Sequence, residues 1–131
     1  LNTDQKIAKL LVSAYPDFLI ASSEWFAFVP AKEYFDEPGD HADELETSVM
    51  MHYHPELVNL DEAGNGDYKK FTSQMLNEKV AWIPRNWQKV SQDTGIGNPK
   101  KASAGKGKKY AEAVVAKYAL LFEELVHKEL Y

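Results

Sequence analysis

Residues 2–25, NTDQKIAKLLVSAYPDFLIASSEW, decide the fold class. Asn2 and Thr3 are helix-capping residue types, whose side-chain oxygens can take the free N–H groups of a first turn. Ile7, Leu10, Leu11 and Ala14 then recur at helical spacing, which predicts a helix over 4–14. Pro16-Asp17 stops it. Phe18-Leu19-Ile20-Ala21 is a short, continuous apolar run, the pattern of a strand buried on both faces. Polar Ser22-Ser23-Glu24 and then Trp25 follow, just past the strand's C-terminal end, where ligands bind in open α/β sheets. Helix, turn and buried strand form the second half of a βαβ unit. The first strand of that unit has no counterpart in the sequence.

Downstream, 31–35 suits one helical turn, and Asp36-Glu37-Pro38-Gly39 reads as a loop. Asp40 can cap a helix over 42–53, which Pro55 ends. Residues 58–79 lack steady periodicity and read as an irregular loop, whereas 80–83 and 87–90 suit edge strands. Residues 94–104 are rich in Gly, Lys and Ser and read as a loop. From Lys106 onward, Tyr110, Val114, Tyr118, Leu121, Phe122 and Leu125 form one stripe, predicting a long amphipathic helix that lies on a sheet or on another subunit.

The 131 residues suit a single domain, and the 44% apolar and 27% charged fractions are those of a globular chain. A net charge of −5 gives no electrostatic footprint for nucleic acid or an anionic membrane. The absence of cysteine excludes disulfides, a thiolate nucleophile and cysteine-ligated zinc, and suits a cytoplasmic location. No apolar run approaches the ~20 residues of a membrane span, and the N-terminus does not read as a signal peptide. The initial Leu1 suggests that a further segment precedes it.

Chemistry concentrates in His41-Ala42-Asp43-Glu44-Leu45-Glu46-Thr47-Ser48. On a helix at ~100° per residue, Glu46 falls in the apolar sector of Ala42, Leu45, Val49 and Tyr53, with Asp43, Glu44 and Thr47 opposite. A carboxylate facing the core needs a cation, a metal or several hydrogen bonds, so Glu46 is a candidate metal-supporting residue or half of a structural ion pair. His41 stands at the helix start, where the dipole favours the neutral, proton-accepting imidazole, which suits general acid/base work. His52 and His54 diverge at the other end of the helix and suit the dipole better than a shared metal. The lysines around Gly105 follow no phosphate-loop spacing and read as a solvated surface. Trp25, Trp82 and Trp87 are by default core or interface residues, with Trp25 the strongest candidate for a ligand contact.

The stretch HADELETSVMM followed by PELV resembles the H-A-G-E-x-E-T-S motif and following Pro-Glu-Leu-Val of the creatininase family. Thr94-Gly95-Ile96-Gly97-Asn98-Pro99, with Ala102-Ser103-Ala104 and Lys106-Gly107, resembles that family's later glycine-rich loop and helix start. The likeness runs from about Pro16 to the C-terminus. It implies a three-layer α/β/α sandwich around a mostly parallel sheet, of which residues 1–131 form a single domain that is the C-terminal half. It also implies a metal-dependent hydrolase of a C–N bond in a small cyclic or linear amide, assembled as a homo-oligomer, often a hexamer. Two divalent ions, zinc or manganese, would be held mainly by residues outside this chain, because the family's Asn-Gly-His motif does not occur in it.

By resemblance, His41 matches the proton-handling, substrate-contacting histidine and Glu46 the glutamate at or beside the metals. Trp25 matches an aromatic that closes over substrate. Members that act on creatinine carry a Trp-Asp pair where this chain has Glu37-Pro38, which points to a different amide. The competing expectation is a non-catalytic structural or oligomerisation fragment that lacks most metal ligands.

Overall fold

The computed structural model describes residues 3–127 and 129, so the expected capping role of Asn2 lies outside the described residues. Among the described residues, five α-helices are joined by irregular segments and short 3₁₀ turns: α1 (Thr3–Ala14), α2 (Glu44–Tyr53), α3 (Gln74–Asn77), α4 (Trp87–Val90) and α5 (Ala104–His127). The centre is α2 packed against the first half of α5.

Both central helices have identifiable ends. Asp43, in extended conformation, accepts from the Glu46 amide at 2.9 Å and is the N-cap of α2, the role expected of Asp40. Ala42 has φ +49 and stands outside the helix, which shortens the expected 42–53 to 44–53. Pro55 restricts His54 to a non-helical conformation and stops α2. Ser103 starts α5 by accepting from the Lys106 amide through its hydroxyl. A Cβ added at Gly107 would lie 1.9 Å from the Ser48 carbonyl oxygen, so only glycine permits this approach of the two helices.

Tyr110 has no exposed surface and anchors the core with Val29, Phe35, Leu45 and Val114. Trp25 and Tyr34 meet its ring edge-on, and its hydroxyl donates to the Phe26 carbonyl at 2.9 Å. Burying a side chain of this kind is worth roughly 1.5–3 kcal/mol. The stripe on α5 is buried at Tyr110 and Val114, half-buried at Tyr118, Leu121 and Leu125, and open at Phe122.

The sheet expected of an α/β/α sandwich is absent among the described residues. Its nearest relatives are two isolated antiparallel bridges, His41 with Ile96 and Tyr68 with Ser91. Residues 18–21 form no strand, and Phe18 and Leu19 are 68% and 57% exposed rather than buried on both faces. A strand needs a neighbour for its N–H and C=O groups, and the described chain offers these residues none. Residues 80–83 are irregular and 87–90 form the single turn α4, so neither expected edge strand forms.

Candidate functional site

The two motif-bearing segments lie far apart in sequence and clasp each other in the fold. The amides of Asp40 and His41 both donate to the Ile96 carbonyl, at 2.8 and 3.1 Å, and the Ile96 amide donates back to His41 at 2.8 Å. The glycines make this clasp tight: a Cβ at Gly97, whose φ is +126, would lie 2.9 Å from the Gly39 Cα. One layer below, the buried Ser48 hydroxyl accepts from the Ser103 amide at 3.1 Å. Beside it the fully buried Glu44 carboxylate accepts from the Lys106 ammonium and from the Glu37 amide. Lys106 also binds Asp36 at 2.9 Å, and these hydrogen bonds hold the Asp36 carboxyl below its ordinary range and the Lys106 ammonium above.

The clasp fixes the surroundings of the sequence-predicted site residues. Glu46 and Trp25 line one cavity of about 550 Å³, together with Met50, Leu60, Asp93 and Gly95. His41 is not on its wall but stands beside it, with Nδ1 3.6 Å from Glu46 Oε2. That separation is an electrostatic contact and too long for a hydrogen bond. The Glu46 carboxylate accepts from the Ala42 amide at 2.6 Å. The fold thus brings the three residues into one neighbourhood. His52 stays away, its ring against Tyr53, and His54 pairs with Glu56 at 3.2 Å.

The burial expected for Glu46 is reversed. Its side chain is 38% exposed on the cavity, and Glu44, expected outside, is the carboxylate that faces the core. The inward face of α2 carries Glu44, Leu45 and Ser48, since Lys106 supplies a cation for Glu44 and the Ser103 amide donates to Ser48. The lysines expected to be solvated are in part engaged: Lys101 binds Glu37 at 2.8 Å, and Lys100 donates to the Leu60 carbonyl at 2.8 Å.

Three further groups border the site. Asp93 accepts from the Gly95 amide at 3.0 Å and from Ser91, which hold its carboxyl below the ordinary range. Its signal was the short spacing Asp-x-Gly, in which a side chain caps its own turn. Arg85 makes a bidentate pair with Asp40 at 2.7 and 2.6 Å, which lowers the Asp40 carboxyl despite its partial burial. Trp87 places its ring 5.2 Å from that of His41. No local pattern announces these two contacts. Among the described residues no three His, Cys, Asp or Glu side chains converge as a metal site. Glu46 offers a single exposed carboxylate, and the residues present do not by themselves fit a metal pair.

The family profile described as creatininase, creatinine amidohydrolase, matches residues 4–122. A crystal structure of a protein provisionally named creatinine amidohydrolase, from Bacteroides fragilis, superimposes with a TM-score of 0.91 at 55% sequence identity. The match covers 99% of this chain and 52% of that one, so the chain spans about half the length of its solved relative. No protein of curated function matches. No helix among the described residues is long and apolar enough to cross a membrane.

Proposed function

Because the chain belongs to the creatininase family, a family of C–N amidohydrolases that generally use metal ions, we propose that it supplies part of the active site of a metal-dependent amidohydrolase. The substrate is a small cyclic or linear amide other than creatinine. His41 delivers a proton to the leaving nitrogen, Glu46 supports the metal centre, and Trp25 covers the substrate. The ions, zinc or manganese, are held mainly by ligands outside this chain, in the N-terminal half of the same fold. The complete protein is a homo-oligomer, a hexamer by resemblance, and acts in the cytoplasm. The isolated segment has no turnover of its own.

The observation that carries this reading is the meeting of Glu46 and Trp25 on one cavity with His41 at 3.6 Å from the Glu46 carboxylate. Amide hydrolysis needs a group that can give up a proton next to the scissile bond, and imidazole is suited to it near neutral pH. Glu46 keeps an exposed carboxylate at the cavity although its Oε2 also receives the Ala42 amide. A second reading, a non-catalytic structural fragment, is favoured by the lack of any converging metal-ligand trio among the described residues.

The experiment uses the intact protein with its metal. His41→Ala should lower turnover by about 10²–10⁴-fold and leave metal content intact. Glu46→Gln should abolish turnover and loosen metal binding without loss of fold. His52→Ala and His54→Ala should change little. Wild-type turnover and metal content in both of the first two variants would sink the catalytic reading and leave the structural one.

A further inference from the structure

We infer that Trp87 is a positioning residue for His41, held in place by the Arg85–Asp40 ion pair. The inference rests on the reading that His41 handles the proton, and its observations come from elsewhere in the molecule. A proton-transfer group must present one ring nitrogen in a fixed direction. The contact of His41 Nδ1 with Glu46 is 3.6 Å, and the imidazole makes no hydrogen bond among the described residues. With its side chain 47% exposed, the ring would turn freely about its χ angles unless something else held it.

What holds it is a closed ring of contacts. The Trp87 indole lies 5.2 Å from the imidazole with the planes tilted by 51°. The Arg85 guanidinium sits 5.5 Å from the centroid of the same indole, a cation–π distance. Its two terminal NH2 groups donate to the two oxygens of Asp40, the residue that precedes His41. The path runs from the His41 backbone through Asp40, Arg85 and Trp87 back to the His41 ring. Either side of the circuit is anchored: Ile96 binds the backbone at residues 40 and 41, and Lys69 donates to the Val90 carbonyl at the end of α4. A bidentate Arg–carboxylate pair also fixes direction, which a lysine in the same place could not do.

Histidine ring resonances in the metal-loaded intact protein test this directly. The His41 signal is identified by its disappearance in His41→Gln. In the wild type it should be displaced by the ring current of Trp87. Trp87→Leu should remove that displacement, Trp87→Phe should restore most of it, and Arg85→Lys should fall between, each at unchanged metal content. Arg85→Lys keeps the charge and leaves Trp87 in place, so it reads the latch even where Trp87→Leu disturbs the fold. An unmoved His41 signal in both Trp87→Leu and Arg85→Lys overturns the inference, and so does a Trp87→Phe signal no closer to wild type than that of Trp87→Leu. Failure of the underlying reading is distinguishable, since it appears as full amide hydrolysis by His41→Ala whatever the resonances do.

Discussion

Tyr110 and Phe122 belong to the same stripe of α5, yet Tyr110 has no exposed surface and Phe122 is 60% exposed. The division continues through the molecule. On the Tyr110 side, α2 and the start of α5 are joined by a hydrogen bond to the buried Ser48, an ion pair to the buried Glu44 and a glycine contact. On the other side α1 presents Leu10 at 73% exposure, followed by open Phe18 and Leu19. Apolar burial is worth roughly 25 cal/mol per Å², so an open flank of this composition gains strongly from any cover. The motif-bearing half is stabilised by contacts within the chain, whereas the flank leaves Leu10, Phe18 and Leu19 uncovered among the described residues. The N-terminal half proposed above would be such a cover.

Substitutions on the two sides should therefore behave differently. The largest effect is expected from Glu44→Ala, which strips a buried carboxylate from Lys106 and from the Glu37 amide. Lys106 keeps Asp36, but the Glu37 amide loses its acceptor and a void opens, so a loss of about 2–4 kcal/mol should appear in urea unfolding. A loss below 1 kcal/mol would mean that water reaches this pair and that α2 and α5 are not locked there. Gly107→Ala should cost somewhat less, on the order of 1–3 kcal/mol, because the helices must part to admit one methyl group. An unchanged melting temperature would break the claim of a close approach at Ser48.

Leu10→Ser and Phe18→Ser sharpen the comparison from the other side. In the 131-residue chain each should shift stability by no more than about 0.5 kcal/mol, as exposed positions do. In the intact protein the same changes should cost several times as much. Equal, small effects in both settings would remove the argument for a cover. The smallest effect concerns pH. Arg85 holds the Asp40 carboxyl below its ordinary value, so the pair's contribution is fully present above the ordinary carboxylate range. It is lost as pH falls through the depressed value in the fold. Acid titration should release the Arg85 contacts only below about pH 4, whereas loss of the pair near pH 6 would contradict the assignment.

Those contrasts also explain what could be read in the sequence. The long helix from residue 104 and the helix ending at Tyr53 were legible because their periodicity and Pro55 are local signals. Glu46 and Trp25 line one cavity with His41 beside it, and of the three only His41 and Glu46 lie in the motif stretch. The face of α2 is not the one its apolar residues mark, because Met50 and Tyr53 stay exposed while Glu44 and Ser48 turn inward. Glu44 is kept inside by a lysine from a remote segment. The Phe18–Ala21 run carries the composition of a buried strand, but pairing is a property of two segments, and a single segment cannot reveal whether its neighbour is at hand. The contacts of Trp87 and Arg85 were illegible for the same reason.

The approach of Gly107 to Ser48 has a consequence for how the chain can vary. Where α5 sits along α2 is settled by a direct touch of backbones, so the length of the connection between the helices does not enter into it. Lengthening a flexible connection twofold costs only about 0.6 kcal/mol of closure entropy. An insertion beside the exposed Val80 and Trp82 would therefore leave His41, Glu46 and the glycine loop in register, whereas residues 60–69 are themselves tied down by contacts to Lys100, Gly97 and Val90.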